Sequence, residues 1–397
     1  MNKIPTKKSG FNPNWQIKTL NEVCNKISAG GDKPEDCTTE KTEENQIPIF
    51  SNGIKNKGLC GYTKTPTITK PALTISARGT IGFACVRYEP FFPIVRLICV
   101  IPNEKLVVLE FLCYALQYII PQGEGTSVPQ LTIPNFKKIK IPIPPLDEQK
   151  RIASALSKID AYLENTIKLI EEKERFKRGI AKKLLTCKEG ENIPEARFKG
   201  FEDEWEIVKL GDITKMISGG TPNTKIKEYY NGNIVWATIT DITNSYKYLY
   251  DSEKKITELG LQNSSTKIFP INTVLYSIYG SIGECAISKV ECTTNQAILG
   301  IECSDKINYN FLYYLLSNHK NNAKKLRQFG TQPNINKKIV LNFYFKIPNI
   351  EEQEKIGGYL SLLDKEIDNL KKQKELIKEM KRGAMQKLLS GEVRLLD

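Results

Sequence analysis

The sequence has little of what catalytic and metal sites are usually built from. It contains a single histidine, His319, which makes a histidine-based triad or acid–base pair hard to build. None of its ten cysteines forms a Cys-x-x-Cys pair, which argues against a structural zinc site. The glycine-rich phosphate loop that ends in Gly-Lys-Ser/Thr is also missing. We therefore predict neither a catalytic nor a metal-binding residue in this chain.

Long apolar stretches are absent as well. No run of 18 apolar residues occurs, and the first residues lead into a polar stretch rather than the apolar centre of a signal peptide. Several cysteines, such as Cys85 and Cys99, lie in apolar, strand-like runs, as expected of buried free thiols in a reducing compartment. We predict a cytoplasmic protein that does not span a membrane.

Positive charge, in contrast, is in excess. The 58 lysines and arginines outnumber the 45 acidic residues, giving a net charge of +13 and a pI near 9.1. These charges are spread along the chain, which favours a structured surface for a polyanion such as nucleic acid over a basic tail. A length of 397 residues with 40% hydrophobic content suits two or more domains with cores of their own.

The sequence consists of two related halves. The segment 145–152 recurs at 349–356, and the register continues so that Asp160 corresponds to Asp364 and Lys177 to Lys381. Near the start of each half, Trp15 corresponds to Trp205. Two copies of a globular region followed by a long helix predict a pseudo-two-fold molecule, suited to a two-part ligand. We expect domains at 1–146 and 188–350, with helices at 147–187 and 351–397, the latter including a C-terminal tail.

The globular regions have the pattern of a mixed α+β fold. Short β-branched or aromatic runs alternate with glycine, proline and asparagine, and each half contains one apolar segment at helical spacing. Strands are predicted at 46–50, 72–76, 94–101, 234–239, 274–278 and 296–301, and one short helix per half at 109–118 and 311–317.

Three glycine-containing loops are shared by the two halves. They pair 76–82 with 277–283, Gly30-Gly31 with Gly219-Gly220, and 125–127 with 330–332. Glycine beside serine or threonine in a turn exposes N–H groups and hydroxyls that suit phosphate oxygens. The alternative, that the glycines only shape turns, remains open for any single loop.

Apolar residues recur every three and four positions in the segments 147–186 and 351–390, which predicts two helices of about 60 Å with a coiled-coil seam. The predicted seam residues are Ile152, Leu156, Ile159, Leu163, Ile170, Ile180 and Leu184 in the first helix, and Ile356, Leu360, Leu363, Ile367, Leu370, Ile377, Ala384 and Leu388 in the second. Polar residues interrupt both seams near Gly179 and Gly383, where we expect a kink. An antiparallel pair joining the two domains is favoured; the alternative is that the helices only dimerise the protein.

Three further apolar side chains of the first helix lie off the seam. Leu169, Phe176 and Leu185 are predicted to face other subunits. The pattern closest to a nuclease site is Asp241 with Glu253-Lys254-Lys255, which we interpret as solvated surface because it arises easily in a lysine-rich chain.

Taken together, these motifs resemble those of the specificity subunits of type I restriction–modification enzymes. The matching segments are Trp-Glu-x-x-x-Leu-Gly-Asp-Ile at 205–213, Ser-Gly-Gly-Thr-Pro at 218–222, Ile-Pro-Ile-Pro-Pro-Leu-Asp-Glu-Gln at 141–149, and the Lys-Arg-Gly…Lys-Leu-Leu ends of both helices. The resemblance spans the chain. Its departures are Ala29-Gly30-Gly31-Asp32 in place of the Gly-Gly-Thr-Pro pattern, and Tyr279 where the first half has Arg78.

The resemblance implies that each globular region is a target recognition domain for one part of an asymmetric, split sequence in double-stranded DNA. The helices would set the spacing and dock two methyltransferase subunits, which bind S-adenosylmethionine and methylate adenine. Two restriction subunits would add ATP-driven translocation and cleavage that needs magnesium. No cofactor is expected in this chain. Half-sites on one face of B-DNA lie about 10 bp apart, which leaves some six unspecified pairs between half-sites of about four.

Base reading is expected from polar side chains in the loops, with arginine and lysine favouring guanine and asparagine and glutamine favouring adenine. The candidates are Lys55, Lys57, Arg78, Thr126, Ser127 and Gln130 in the first half, and Asn223, Lys225, Lys227, Tyr279, Thr331, Gln332 and Asn334 in the second.

Two other functions stay open on sequence alone. The chain could be the recognition subunit of a type IIB-like enzyme, in which methylase and nuclease share one polypeptide. It could also be a coiled-coil scaffold or adhesin, which would lack the steep salt dependence of phosphate-led DNA binding.

Overall fold

The computed structural model describes residues 11–120, 131–326 and 334–395. It divides into two compact units, one formed by Met1–Ile167 with Lys372–Asp397 and the other by Lys168–Lys371. The domain boundaries expected from the sequence separate helices from globular regions. The contacts instead group each globular region with the helix segments that pack on it.

The first unit contains a four-stranded sheet, a three-stranded sheet and a two-stranded ribbon. Its elements are β1 (Gln16–Thr19), α1 (Leu20–Val23), β2 (Cys24–Ala29), β3 (Ile47–Phe50), β4 (Leu59–Thr63), β5 (Ala72–Ile75), β6 (Ala84–Arg87), β7 (Phe92–Pro93), β8 (Ile98–Pro102), α2 (Leu109–Ile119), α3 (Ile133–Lys137) and β9 (Lys140–Ile143), followed by α4 (Leu146–Leu185), which continues into the second unit. The sheet orders are β2-β8-β5-β6, β4-β3-β7 and β1-β9. Leu73, Ile75 and Val100 of the four-stranded sheet pack with Phe111 and Leu112 of α2 in a buried apolar core.

The second unit repeats this plan. Its elements are β10 (Glu206–Lys209), α5 (Leu210–Ile213), β11 (Thr214–Ser218), β12 (Tyr230–Ala237), α6 (Ile239–Asn244), β13 (Tyr248–Leu249), β14 (Lys255–Ile256), α7 (Glu258–Gln262), β15 (Val274–Ser277), β16 (Cys285–Ser288), β17 (Thr293–Thr294), β18 (Ile298–Cys303), α8 (Tyr309–Lys325), α9 (Lys337–Leu341), β19 (Tyr344–Ile347) and α10 (Ile350–Ser390), whose last part belongs to the first unit. The sheet orders are β11-β18-β15-β16-β13, β14-β12-β17 and β10-β19. The same strand sequence occurs in both units, with β13 added, so the predicted mixed fold and internal repeat are confirmed.

The repeated Glu-Gln of the two halves holds each globular region to the start of a long helix. The Gln149 amide accepts from Val108 N (2.8 Å) and donates to Leu106 O (3.0 Å), and the Gln353 amide repeats both bonds with Asn308 and Lys306. Both amides are buried. Because a buried amide costs free energy unless it is hydrogen-bonded, the motif has a structural explanation.

The glutamate before each glutamine is also buried and is paired with an arginine. In the first unit Glu148 Oε2 lies 2.7 Å from Arg394 Nη2. In the second unit Glu352 accepts from Arg197 at 2.8 and 2.9 Å and from the indole of Trp205 at 3.3 Å. The corresponding indole nitrogen of Trp15 is buried without a hydrogen-bond partner in the described structure. The two units therefore share the ion pair but differ in the tryptophan contact.

The predicted coiled-coil seam is confirmed by burial. Every seam residue of α4 and α10 is buried or half-buried. In the first unit Glu148 contacts Arg394 (2.7 Å) and Asp160 contacts Lys381 (2.6 Å). In the second unit Lys173 contacts Glu366 (2.7 Å) and Lys177 contacts Asp364. Because the partner's number falls as the number along α4 rises, the segments run antiparallel in each unit. Both helices continue without a break through their Lys-Arg-Gly segments, so no helix break marks the position where we expected a kink.

The single helix expected in each globular region is present as α2 and α8, and α8 extends eight residues beyond its predicted end, to Lys325. The prediction of only one helix per half is wrong, because α1, α3, α5, α6, α7 and α9 add turns of four to six residues. Such turns are too short to produce an apolar periodicity. All ten cysteines are free, and Cys60 alone is exposed. Within the described ranges, no helix is long and apolar enough to cross a bilayer.

Candidate nucleic-acid interface

The loop between β5 and β6 has the same turn as the loop between β15 and β16. In the first unit Gly82 N donates to Ser76 O (3.0 Å), and in the second Gly283 N donates to Ser277 O (3.0 Å). The tips carry Gly79 (φ +66°) and Gly280 (φ +61°), where the left-handed backbone favours glycine. The residue before each tip glycine is exposed and differs, being Arg78 in one loop and Tyr279 in the other.

In the first unit Asn52 connects three loops. Its Nδ2 donates to Val95 O (2.7 Å) and its Oδ1 accepts from Ala77 N (2.8 Å) in the β5–β6 loop. Lys55 and Lys57 follow Asn52 closely along the chain and are exposed. The structure therefore brings the predicted lysine loop and the β5–β6 loop to one surface.

Lys57 is directed toward the long helix. Its Nζ lies 2.9 Å from Glu164, and this hydrogen bond raises the pKa of Lys57. Both side chains are more than half exposed, and such pairs contribute only about 0–1 kcal/mol, so a phosphate could replace the carboxylate. Asn56 and Lys57 have a left-handed backbone. The guanidinium of Arg87 supports this segment, since it donates to Lys57 O and lies 3.6 Å from the centre of the Phe50 ring.

At Gly30 and Gly219 the N–H group that we expected to face phosphate is not free. Gly30 N donates to Leu97 O (2.8 Å), and Gly219 N donates to Ile298 O (3.0 Å), so these N–H groups are already used. A Cβ at Gly30 would come within 2.6 Å of the Pro93 carbonyl carbon. These glycines are needed because two stretches of backbone meet without room for a side chain.

In the second unit a chain of contacts joins the corresponding loops. The Thr221 hydroxyl donates to the Gln296 amide oxygen, and Ile278 N donates to Ala297 O (2.9 Å). Tyr279, the next residue, forms an isolated antiparallel bridge with Asn334. The predicted residues Tyr279 and Asn334 are therefore adjacent.

Asn223, Lys225 and Lys227 are exposed on the segment that follows Thr221. Asn223 Oδ1 accepts from Lys225 N (3.1 Å), which gives the start of this loop a defined shape, and Lys227 follows. The candidates Thr126, Ser127, Gln130, Thr331 and Gln332 lie outside the described residues. In the first unit the nearest described residue after that gap, Leu131, donates to Ala77 O (3.1 Å) beside Arg78.

Sequence reasoning missed three residues of these loops: Asn52, Arg96 and Gln296. Arg96 and Gln296 are exposed, each at the turn that precedes β8 or β18. The prediction of a strand over 94–101 included Arg96, which concealed the turn. A comparison of the two halves just before β8 and β18 could have indicated these turns from the sequence.

The contacts between each globular region and the helices use equivalent residues. In the first unit the Tyr114 hydroxyl donates to Asp160 (2.8 Å), which also pairs with Lys381 (2.6 Å). In the second unit Tyr314 donates to Asp364, which pairs with Lys177. Burial raises the pKa of Tyr114 and Tyr314, so both remain hydrogen-bond donors.

One buried cation distinguishes the second unit. Lys247 is 6% exposed, and its Nζ lies 2.9 Å from the Tyr314 hydroxyl and 2.6 Å from Ser361 Oγ. Burial lowers the pKa of Lys247 to about 8, and the positive charges of Lys177 and Lys289 act in the same direction. The ammonium is satisfied by hydroxyl groups rather than by a direct ion pair.

The three side chains predicted to face other subunits separate into two groups. Leu169 is 41% and Phe176 is 52% exposed on α4, so both remain candidates. Leu185 is 6% exposed and packs in the core of the second unit, so the prediction that it faces outwards is wrong. Leu185 is buried because it lies at the end of α4, where the helix meets the globular region.

Asp241 has a structural role instead of the solvated one that we expected. Its Oδ2 accepts from Thr238 N (2.8 Å) at the start of α6, and its Oδ1 accepts from Glu253 N (2.9 Å). A carboxylate at this position caps the helix. In the part of the chain that the structure describes, no three histidine, cysteine or acidic side chains come together as a metal site.

The chain matches a family model described as "Type I restriction modification DNA specificity domain" at residues 12–172 and 202–379. It is 29% identical over 318 residues to the type I restriction enzyme MjaVIII specificity subunit of Methanocaldococcus jannaschii, covering 74% of this chain and 72% of that protein. The match to the MjaIX specificity subunit of the same organism is 37% identical over 182 residues, covering 45% of this chain and 42% of that protein.

A crystal structure of the type I restriction–modification S subunit from M. genitalium has a similar fold, with a TM-score of 0.63 at 19% identity and coverage of 97% of this chain and 99% of that one. The two matched regions of the family model coincide with the two repeated halves described above. The chain therefore belongs to the family of type I restriction–modification specificity subunits and contains two target recognition domains.

Proposed function

We propose that the two recognition domains read two different short DNA sequences, which together form one asymmetric, split target. The observation that carries this proposal is the shared turn with different side chains at its tip, Arg78 in one domain and Tyr279 in the other. The two loops share one backbone turn but carry different polar side chains at its tip. This suits two different half-sites, because bases are distinguished by the donors and acceptors that side chains offer.

The loops that would meet DNA are those joined by Asn52 in the first unit and by Ala297 and Ile278 in the second. They carry the candidates Lys55, Lys57 and Arg78, and Asn223, Lys225, Lys227, Tyr279 and Asn334, with Thr126, Ser127, Gln130, Thr331 and Gln332 as further candidates outside the described residues. The net charge of +13 supports attraction to phosphate.

The long helices would fix the spacing of the half-sites at about one turn of B-DNA, or about 10 bp between their centres. With half-sites of about four base pairs, some six pairs between them would be unspecified. The antiparallel seam supports this role, since its buried contacts hold helix segments at each recognition domain.

The helices would also dock two methyltransferase subunits, and the exposed Leu169 and Phe176 of α4 are the candidates for that contact. Those subunits would bind S-adenosylmethionine and methylate adenine, and two restriction subunits would supply ATP- and magnesium-dependent translocation and cleavage. This chain would contribute recognition and no catalytic residue. Such a complex acts on DNA in the cytoplasm.

The test is to co-express the chain with the methyltransferase encoded beside it, in a host free of DNA methylation, and to map methyladenine by single-molecule sequencing. A split, asymmetric motif with a gap near six pairs is expected. The methyltransferase expressed without this chain is the matched control and should leave the DNA unmodified. An assembled complex that methylates nothing, or that modifies a motif without a gap, would contradict the proposal.

A further inference from the structure

The turn that leads into β8 has an unusual backbone. Val95 (φ +53°) and Arg96 (φ +58°) are two consecutive non-glycine residues in the left-handed region. A β-branched residue rarely adopts this conformation, and such positions cluster where a site requires a particular shape. Both side chains are exposed, so packing of the side chains does not account for the turn.

The turn is held by backbone and side-chain hydrogen bonds from the neighbouring loops. Val95 N donates to Gly31 O (2.8 Å) and Arg96 N donates to Gly30 O (3.0 Å). Val95 O accepts from the Asn52 amide at 2.7 Å. The glycine pair and Asn52 therefore hold the turn in its left-handed conformation.

The second unit has a turn of the same length without this conformation. Gln296 and Ala297 occupy the positions of Val95 and Arg96, and neither has a positive φ. There Ala297 O accepts from Ile278 N (2.9 Å), a bond that joins the turn to the neighbouring hairpin loop. In the first unit the equivalent amide, Ala77 N, donates to Asn52 Oδ1 instead (2.8 Å). The first domain thus exchanges a backbone bond for a side-chain clamp that reorients Arg96.

Arg96 is left as a positioned donor without an acceptor. No side-chain hydrogen bond or ion pair of Arg96 is found within the described ranges, and the residue is exposed beside the β5–β6 loop. In the second domain Gln296 is exposed on the corresponding turn, and Thr221 donates to its amide oxygen. An arginine and a glutamine on equivalent rigid turns suit guanine and adenine respectively.

We infer that Arg96 is a specificity-determining residue that reads a guanine in the first half-site, and that Asn52 is its positioning residue. The inference rests on the proposed function, because it names the base that one recognition domain selects. A guanidinium donates two parallel hydrogen bonds to guanine O6 and N7, and a rigid turn reduces the freedom lost on forming them.

The experiment uses the full chain co-expressed with its methyltransferase and compares methyladenine motifs of wild type, Arg96→Ala and Arg96→Gln. Arg96→Ala should relax one guanine of one half-site, reducing discrimination there about ten- to hundredfold. Arg96→Gln should shift the same position toward adenine, and the other half-site should stay unchanged in both. Asn52→Ala should relax the same position even though Arg96 is present.

Lys105→Ala is the matched control, since Lys105 is an exposed cation beyond the other end of β8 and should leave the motif unchanged. Thermal unfolding of Arg96→Ala should match that of the wild type, which separates lost reading from lost folding. An equal loss of methylation at all sequences would make Arg96 a phosphate contact, and an unaltered motif would assign it no role. Either result overturns the inference while the wild-type motif still supports the proposed function. Absence of any motif in the wild type would instead contradict the proposed function.

Discussion

The two units are alike where they contact the long helices and unlike at the loops proposed to meet DNA. Tyr114, Asp160 and Lys381 form in one unit the cluster that Tyr314, Asp364 and Lys177 form in the other. The turns before β8 and β18, in contrast, have different backbones and different side chains. Under the proposed function, a repeated attachment with varied loops would allow the two half-sites to change independently while the spacing is kept.

The attachment itself differs in one respect, the buried Lys247 of the second unit. It adds a cation to a cluster that already contains Lys177, and its hydroxyl partners compensate only part of the cost of burial. The comparison therefore predicts that the second unit is the more sensitive to changes at this cluster.

The largest expected effect comes from the buried ion pair at the start of α10. Arg197→Ala should lower the free energy of unfolding of the second unit by about 3–5 kcal/mol, because Glu352 is fully buried and loses its cation. The measurement is denaturant unfolding in a Trp15→Phe background, where the remaining tryptophans, Trp205 and Trp236, report on this unit.

Adding Glu352→Gln to Arg197→Ala should restore most of the lost stability, since the uncompensated charge is removed. A loss below about 1 kcal/mol for Arg197→Ala alone would mean that water solvates the carboxylate. Arg394→Ala should destabilise the first unit in the same way, because Glu148 is equally buried.

The second largest effect is a pH dependence of the free energy of unfolding that comes from Lys247 of the second unit. The pKa of Lys247 is about 8 in the folded chain against 10.5 when solvated, mainly because of burial. Between these values the unfolded chain binds a proton that the folded chain has lost, so stability attributable to this group rises with pH, by roughly 3 kcal/mol in full. The free energy of unfolding of wild type minus that of Lys247→Met should rise from pH 8 to 10.5. A flat difference would show that Lys247 titrates normally.

The third comparison removes one hydroxyl from each cluster. Tyr114→Phe should destabilise the contact of α2 with the helix by about 2 kcal/mol, because Asp160 loses a buried donor. Tyr314→Phe should cost more, since Lys247 loses an acceptor at the same time. Hydrogen exchange of α2 and α8 measures both local openings. Equal effects would contradict the stated role of Lys247.

The smallest expected effect is a gain in stability when the glycine inside each long helix is replaced by alanine. Gly179→Ala and Gly383→Ala should each raise the free energy of unfolding by about 0.5–1 kcal/mol, because glycine weakens a helix interior and an added Cβ meets no neighbouring atom. Urea midpoints of the two variants measure this gain. A loss at either position would show that the glycine is required by the fold of that helix.

The helices and the seam could be predicted because heptad periodicity is a local property of the sequence. The central strands, such as β5 and β15, were also found from their apolar runs. The family resemblance, carried by motifs spaced alike in both halves, is confirmed by the family model.

What could not be predicted depends on contacts between distant residues. From the sequence, Leu185 is predicted to be a helix residue outside the seam. In the fold it packs against the globular region of the second unit. The sequence predicts phosphate-binding loops at Gly30 and Gly219, yet their N–H groups donate to Leu97 O, just before β8, and to Ile298 O of β18. The turn that contains Arg96 was concealed because one of its hydrogen bonds comes from Asn52, a residue 44 positions before Arg96 in the sequence, and no local pattern encodes such a contact.

The composition of the first unit has a consequence for biosynthesis. It is completed by residues 372–395, which leave the ribosome only after all of Lys168–Lys371 has been made. The second unit can therefore close first, although the first recognition domain is translated earlier. Until Arg394 arrives, Glu148 and the apolar residues that pack with Leu388 and Leu389 lack their partners. The apolar surface that Leu388 and Leu389 cover is therefore exposed on the first recognition domain while the whole of Lys168–Lys371 is being made.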